Sequence, residues 1–194
     1  MVEVEGNYPY IEGKKGISLE AIIERYRTKG KCTGVIRGGS GSELQYTVGS
    51  DMLSVRDVGY PDRFMSVQVV SEIVNFNIRT RTSPLDVYED NPQDVHPDMY
   101  AKKFIVFALT YLSDNNIFIS GCKGTWAPNS INLQIFQDEM SVHGDPVRAA
   151  KETWTGKLFA ELGYSEIKLE EIGAEETPDG ELATTAIFRK PNQT

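Results

Sequence analysis

NIFISGCKGTWAPNSINLQIFQDEMSVHGDPVRAAKETWTGKLFAELGY, residues 116–164, is the stretch from which the fold is read. It follows a helix stop at Asp114-Asn115-Asn116. Ile117-Phe118-Ile119-Ser120 is a short run of branched and aromatic residues, which predicts a buried strand. Gly121, Gly124 and Pro128 then predict a turn around Trp126. Ser130 is placed to cap a short helix carrying Leu133, Ile135, Phe136 and Met140. A loop is expected at Ser141-Val142-His143-Gly144. Asp145 as N-cap and Pro146 in the first helical position open a longer helix, because that position needs no amide hydrogen. Val147, Ala150, Trp154, Leu158 and Leu162 recur every three or four residues and share one face, and Gly163 supplies the left-handed stop. Tyr164–Leu169 alternates and predicts a strand.

Upstream, Ser18 is placed to cap a helix through Lys29, with Leu19, Ile22, Ile23 and Tyr26 on one side and Gly30 as its end. Cys32–Ile36, Leu44–Val48 and Met52–Val58 predict an antiparallel meander with turns at Gly38–Ser42 and Gly49–Asp51. Gly34–Ser42 is glycine-rich, but a strand rather than a helix follows it and it lacks a Lys-Ser/Thr pair. A hairpin turn is the expectation over a phosphate cradle. Ser66–Arg79 is rich in branched residues and predicts a strand whose alternation slips at Ser71-Glu72, as a bulge would make it do; a helix capped by Asp62 is the competing reading. Thr80–Asp98 is a polar, acidic loop. Pro97-Asp98 opens a helix to about Ser113 that is apolar nearly all round and expected to be deeply buried. Residues 173–182 read as a glycine- and acid-rich connection, and Ala183–Phe188 as a last strand. The expectation is one α/β domain over 1–194, with an irregular 1–16 and a polar tail at 190–194. A mixed, mostly antiparallel sheet would carry helices on both faces.

The chain has 194 residues, 20 basic against 28 acidic, and a formal charge of −8. An acidic surface opposes phosphate, so broad nucleic-acid or anionic-membrane binding is disfavoured. Cys32 and Cys122 are the only cysteines, which points to reduced thiols rather than a disulfide framework. Met1–Glu5 has neither a basic flank nor an apolar segment, so no secretory signal is expected and the setting would be cytoplasmic.

Candidate chemistry is sparse. Asp90, Asp94, His96 and Asp98 are hard ligands, but their spacing matches no metal motif, and a solvated acidic loop is the simpler reading, with no metal expected. Cys122 and His143 are a conceivable thiol–imidazole pair, against a small buried thiol as the plain alternative. Glu72 is a carboxylate within an apolar strand, a position that suits a general base. Trp126, in a Gly/Pro turn, is the candidate for stacking a ligand, whereas Trp154 belongs to the core.

This order of elements resembles the fold of the GNAT N-acetyltransferases. Leu158-Phe159-Ala160-Glu161-Leu162-Gly163-Tyr164 looks like that family's late-helix signature, and Asn132 sits where the family often has an asparagine after its fifth strand. The resemblance implies a transferase using acetyl-CoA or another acyl-CoA. Asp98, Met99, Lys102 and Lys103 would then lie at the donor phosphates, Trp126 and Asn132 would line the cleft, and Glu72 would be the base. Two features depart from the pattern. Thr80–Asp98 lacks the family's glycine-rich pyrophosphate loop, and the tyrosine that often acts as general acid aligns with Phe159. The pattern Trp126…Asn132…Phe136 and Ala149-Ala150…Thr153-Trp154-Thr155-Gly156 also loosely resembles terminal domains of large bacterial toxins and effectors. That implies a second reading, a non-catalytic recognition protein whose contact surface is Thr80–Asp98 with an exposed Trp126.

Overall fold

A computed structural model describes residues 19–79, 99–128, 130–176 and 180–191. The fold is mixed α/β, with an eight-stranded, mostly antiparallel sheet in the hydrogen-bonded order β1-β2-β3-β4-β5-β6-β8-β7. The strands are β1 (Cys32–Arg37), β2 (Glu43–Val48), β3 (Met52–Asp57), β4 (Phe64–Val70), β5 (Ile73–Arg79), β6 (Gly121–Trp126), β7 (Ile172–Glu176) and β8 (Leu182–Arg189). Among the described residues the helices are α1 (Leu19–Lys29), α2 (Ala101–Asp114), α3 (Ile131–His143), α4 (Pro146–Glu152) and α5 (Trp154–Glu161). The chain divides into two compact units, one formed by 1–69 with 77–117 and the other by 70–76 with 118–194.

In the first unit, Leu19, Ile22 and Ile23 put one face of α1 into the core, and Gly30 closes the helix with φ +71°. The meander forms as its alternation requires. Leu44, Tyr46 and Val48 on β2 are buried with Leu53 and Val55 on β3 and Met65 and Val67 on β4. The Gly38–Ser42 loop is a hairpin turn, closed by Gly38 N–H donating to the Ser42 carbonyl at 2.8 Å. Helix α2 is one-sided rather than buried all round. Phe104, Ile105, Ala108, Tyr111 and Leu112 face inward, while Val106 is 39% exposed. The Tyr111 hydroxyl donates to the Gly49 carbonyl at 2.8 Å, and burial raises its pKa above the ordinary tyrosine value.

The slip at Ser71-Glu72 is a turn between two strands, not a bulge within one. Ser71 and Glu72 have φ +50° and +65°, the pair of left-handed residues that a type I′ hairpin needs. Neither is glycine or asparagine, so the usual sequence signal is missing. Each non-glycine residue held there costs roughly 1 kcal/mol. Replacing Ser71-Glu72 by Asn-Gly is therefore expected to stabilise the fold by about 1 kcal/mol, read as a higher urea midpoint. An unchanged or lower midpoint would contradict the turn.

Four expectations in the second unit are corrected. Ile117–Ser120 is not a strand, and Phe118 is 69% exposed. The strand is instead Gly121–Trp126, running through the glycines that looked like breakers. They serve close packing: a Cβ on Gly121 would lie 3.0 Å from the Phe188 carbonyl and 3.3 Å from Ile73 Cδ1. Ser141–His143 is the last turn of α3, which ends on Gly144 at φ +64°. Among the described residues Tyr164–Leu169 makes one isolated bridge, Glu166 to Arg189, and the strand β7 falls in the region read as a connection.

The fourth correction concerns the long helix, which is two helices. Asp145 caps α4 as expected, accepting from Val147 and Arg148 N–H at 3.0 and 3.1 Å. Thr153 then adopts an extended conformation, ψ 157°, and caps α5. Its hydroxyl donates to the Ala150 carbonyl at 2.7 Å and accepts from Gly156 N–H at 2.9 Å. This break resets the helical phase and turns Trp154 out to 44% exposure, while Leu158 and Phe159 stay buried.

Candidate functional site

Strand β6 is the centre of the second unit. One edge pairs antiparallel with β8 along its whole length, from Gly121↔Arg189 to Trp126↔Thr184. The other pairs parallel with β5 over three residues only, Ile73↔Gly121, Val74↔Cys122 and Asn75↔Lys123. Past Lys123 that ladder stops, so among the described strands Gly124, Thr125 and Trp126 are paired on one edge alone. Backbone groups alternate along a strand. Arg189 spends its N–H and C=O on Glu166, so in the Gly121↔Arg189 register Gly124 and Trp126 face β8. Thr125 is the residue of the three whose N–H and C=O turn to the open edge.

Trp126 was expected in an exposed turn and is instead 1% exposed. Its ring packs against Phe136 of α3, with centroids 5.4 Å apart. Its Nε1 is buried without a hydrogen-bond partner. Gly124 lies against it: a Cβ there would meet Trp126 Nε1 at 3.2 Å and Thr155 Cγ2 at 3.1 Å. Asn132, expected at a ligand, braces the helices around this point, its Oδ1 accepting from Thr155 N–H at 3.1 Å. The run Thr153-Trp154-Thr155-Gly156 is thus the joint between α4 and α5. Capping threonines followed by a packed glycine were the available signal for that role.

The other predicted residues do not converge on this point. Glu72 is exposed in its hairpin turn, and its carbonyl accepts from Ser120 N–H at 2.9 Å and Ser120 Oγ at 3.3 Å. It is therefore not a carboxylate embedded in an apolar strand. His143 ends α3 and lies 3.6 Å from the Glu139 carboxylate on its own helix. Cys122 is buried beside Tyr164 and Lys190. Burial pushes its thiol from the ordinary 9.0 up to about 12, against the opposing pull of Lys190. Burial and the Cys122 contact likewise raise Tyr164 from 10.0 to about 12. Such a thiol is a weak nucleophile at neutral pH. Met99 is buried, Lys102 is exposed and Lys103 half-buried. Asp98, with Asp90, Asp94 and His96, lies outside the described residues.

Two polar clusters were not anticipated. Arg189 Nε donates to Glu171 Oε1 at 2.5 Å, and its Nη1 reaches Ser120 Oγ at 3.4 Å. In the first unit, Asp57 holds the β3–β4 connection, accepting from Gly59 and Tyr60 N–H at 2.8 and 3.2 Å, with Arg63 at 3.7 Å. A depression of about 340 Å³ opens there, lined by Ser42, Glu43, Asp57, Val58, Gly59, Tyr60 and Arg63. Its polar groups serve the turn.

The raised Cys122 and Tyr164 values set an alkaline limit. Both groups are protonated in the fold and ionise more readily when unfolded. Their stabilising contribution is complete below about pH 9 and is lost as pH rises toward about 12. Urea midpoints are expected to fall steadily above pH 9, and less steeply in Cys122→Ala. Parallel profiles for the two proteins would contradict the burial of the thiol.

No helix of the described residues is long and apolar enough to cross a membrane. Comparison of the chain with protein-family models, curated proteins and solved structures finds no match.

Proposed function

We propose that the protein is a divergent GNAT-like transferase that takes an acyl-CoA donor along the open edge of β6. The observation that carries this reading is the three-residue parallel ladder between β5 and β6, set in an otherwise antiparallel order with α2 between the two strands in sequence. The outward N–H and C=O of Thr125 suit an amide of the extended arm of such a donor, which would lie there as an added strand lies on a sheet edge. The donor supplies an activated thioester carbonyl. The chain's part is to hold that carbonyl in place and to offer backbone N–H groups to it. Glu72 has no part in this reading, because Ser120 ties it to the end where β5 and β6 are paired. Nor has Cys122, whose thiol stays protonated.

The test is calorimetric titration with acetyl-CoA, using dephospho and desulfo analogues as controls. Saturable binding that weakens without the 3′-phosphate is the expected result. No heat at millimolar ligand would remove the acyl-CoA mechanism.

A recognition protein on the same scaffold is the second reading, favoured by α3. That helix carries Ile131, Leu133, Ile135, Phe136 and Met140, yet none of its residues is fully buried, and Val142 at its end is 71% exposed. Half-exposed apolar helices of this kind often meet protein partners. A pull-down would follow a negative titration.

A further inference from the structure

We propose that the outer edge of β7 is a docking surface for an extended, basic peptide, which would join the sheet as a further strand. The inference is independent of the transferase reading, since β8 separates β7 from β6.

The edge is open. β7 ends the hydrogen-bonded order and among the described residues pairs with β8 alone. Gly173, Ala174, Glu175 and Glu176 are all exposed, and a Cβ on Gly173 would meet nothing within 4 Å. The phase of the ladder decides which residues offer their backbone. Arg189 exchanges both of its bonds with Glu166, on the side of β8 away from β6. Alternation along β8 turns Thr185 and Ala183 to that same side. Their partners Gly173 and Glu175 therefore spend their N–H and C=O on β8. Ala174 and Glu176 turn theirs outward. Bonding residues two apart are the pattern that an added strand needs.

Charge names the occupant. From Leu169 to Phe188 the chain has five glutamates, one aspartate and no lysine or arginine. Two cations from the neighbouring strands are already committed, Lys123 to Glu175 and Arg189 to Glu171. On an added strand, a lysine or arginine opposite Glu176 would have its Cβ roughly 5 Å from that of the glutamate. A second copy of this edge would instead bring glutamates together, and the chain's charge of −8 adds to the repulsion. A basic peptide is therefore favoured over self-pairing.

The probe is a fluorescein-labelled, N-acetylated and C-amidated Lys-Val-Lys-Val-Lys-Val-Lys peptide, titrated with the full chain and read by anisotropy. Saturable binding is expected, and none when glutamate replaces each lysine of the peptide. A fully N-methylated peptide keeps its charge but loses its backbone donors, and is expected not to bind. Ala174→Pro removes an outward N–H that the β7–β8 ladder does not use, so the edge tolerates it. It is expected to weaken binding about tenfold. Glu176→Gln is expected to weaken it about threefold. No binding of the lysine peptide at millimolar concentration overturns the proposal and leaves the glutamates as a guard against edge pairing. Equal binding of the N-methylated peptide, or equal binding by Ala174→Pro, also overturns it, because charge alone would then account for the attraction.

Discussion

Gly156→Ala is expected to destabilise the second unit by about 3 kcal/mol and to lower the urea midpoint by about 1.5 M. Gly156 is buried at the start of α5, and its amide is held by the Thr153 hydroxyl. A Cβ added there would stand 2.3 Å from the Ala150 carbonyl oxygen, 2.8 Å from that of Lys151 and 2.9 Å from Lys151 Cα. All three atoms are backbone, so no flexible side chain can swing aside. The Ala150 carbonyl is also the acceptor for Thr153 Oγ1. Moving it would loosen the joint that positions both helices. Gly163→Ala is the useful contrast. Its φ is +88° but nothing lies within 4 Å of a Cβ there, so strain alone costs about 1 kcal/mol. Equal losses in the two variants would contradict the α4–α5 contact.

Trp126→Ala is expected to cost about 4 kcal/mol, the usual range for emptying a buried aromatic site. Trp126 is among the largest fully buried side chains, packed on Phe136 and beside Gly124. The loss combines the transfer of the indole with the cavity it leaves, since the braced helices cannot easily collapse into the space. Trp154→Ala should cost far less, about 0.5 kcal/mol, because that side chain is on the surface. The ranking is checked by urea denaturation of both variants. A more severe loss at Trp154 would contradict the helix break at Thr153.

The two tryptophans show where the sequence was legible and where it was not. Local signals that act within a few residues could be read: Gly30 and Gly163 in the left-handed region, Asp145 at its helix start, and the alternation of β1 to β3. Signals that depend on distant packing could not. The glycines of β6 break a strand in isolation, but here they admit Phe188, Ile187 and Thr155 from elsewhere in the chain. Trp126 therefore lies in a strand and inside. Thr153 falls between Ala150 and Trp154 of a stripe that reads as unbroken, and only its capping bonds to Ala150 and Gly156 reveal the interruption. Trp154 therefore points outward. Ser71-Glu72 lacks the residues that normally mark a tight turn, so two strands read as one.

The site was less legible than the fold. Reactive residue types drew attention to Glu72, Cys122 and His143, yet Glu72 is exposed in a turn, Cys122 is a buried thiol and His143 sits beside Glu139 on its own helix. The feature now proposed as the donor site is an unpaired strand edge. It has no residue signature, because it arises from where a ladder ends.

The most direct test is amide hydrogen exchange at Thr125, the residue of β6 that faces the open edge, with and without saturating acetyl-CoA. The account predicts rapid exchange at the unpaired edge of β6 in the free protein and marked slowing on binding. It also predicts little change in α3 or at the Ser71-Glu72 turn. Binding that protects α3 and leaves Thr125 unchanged would contradict the proposed site.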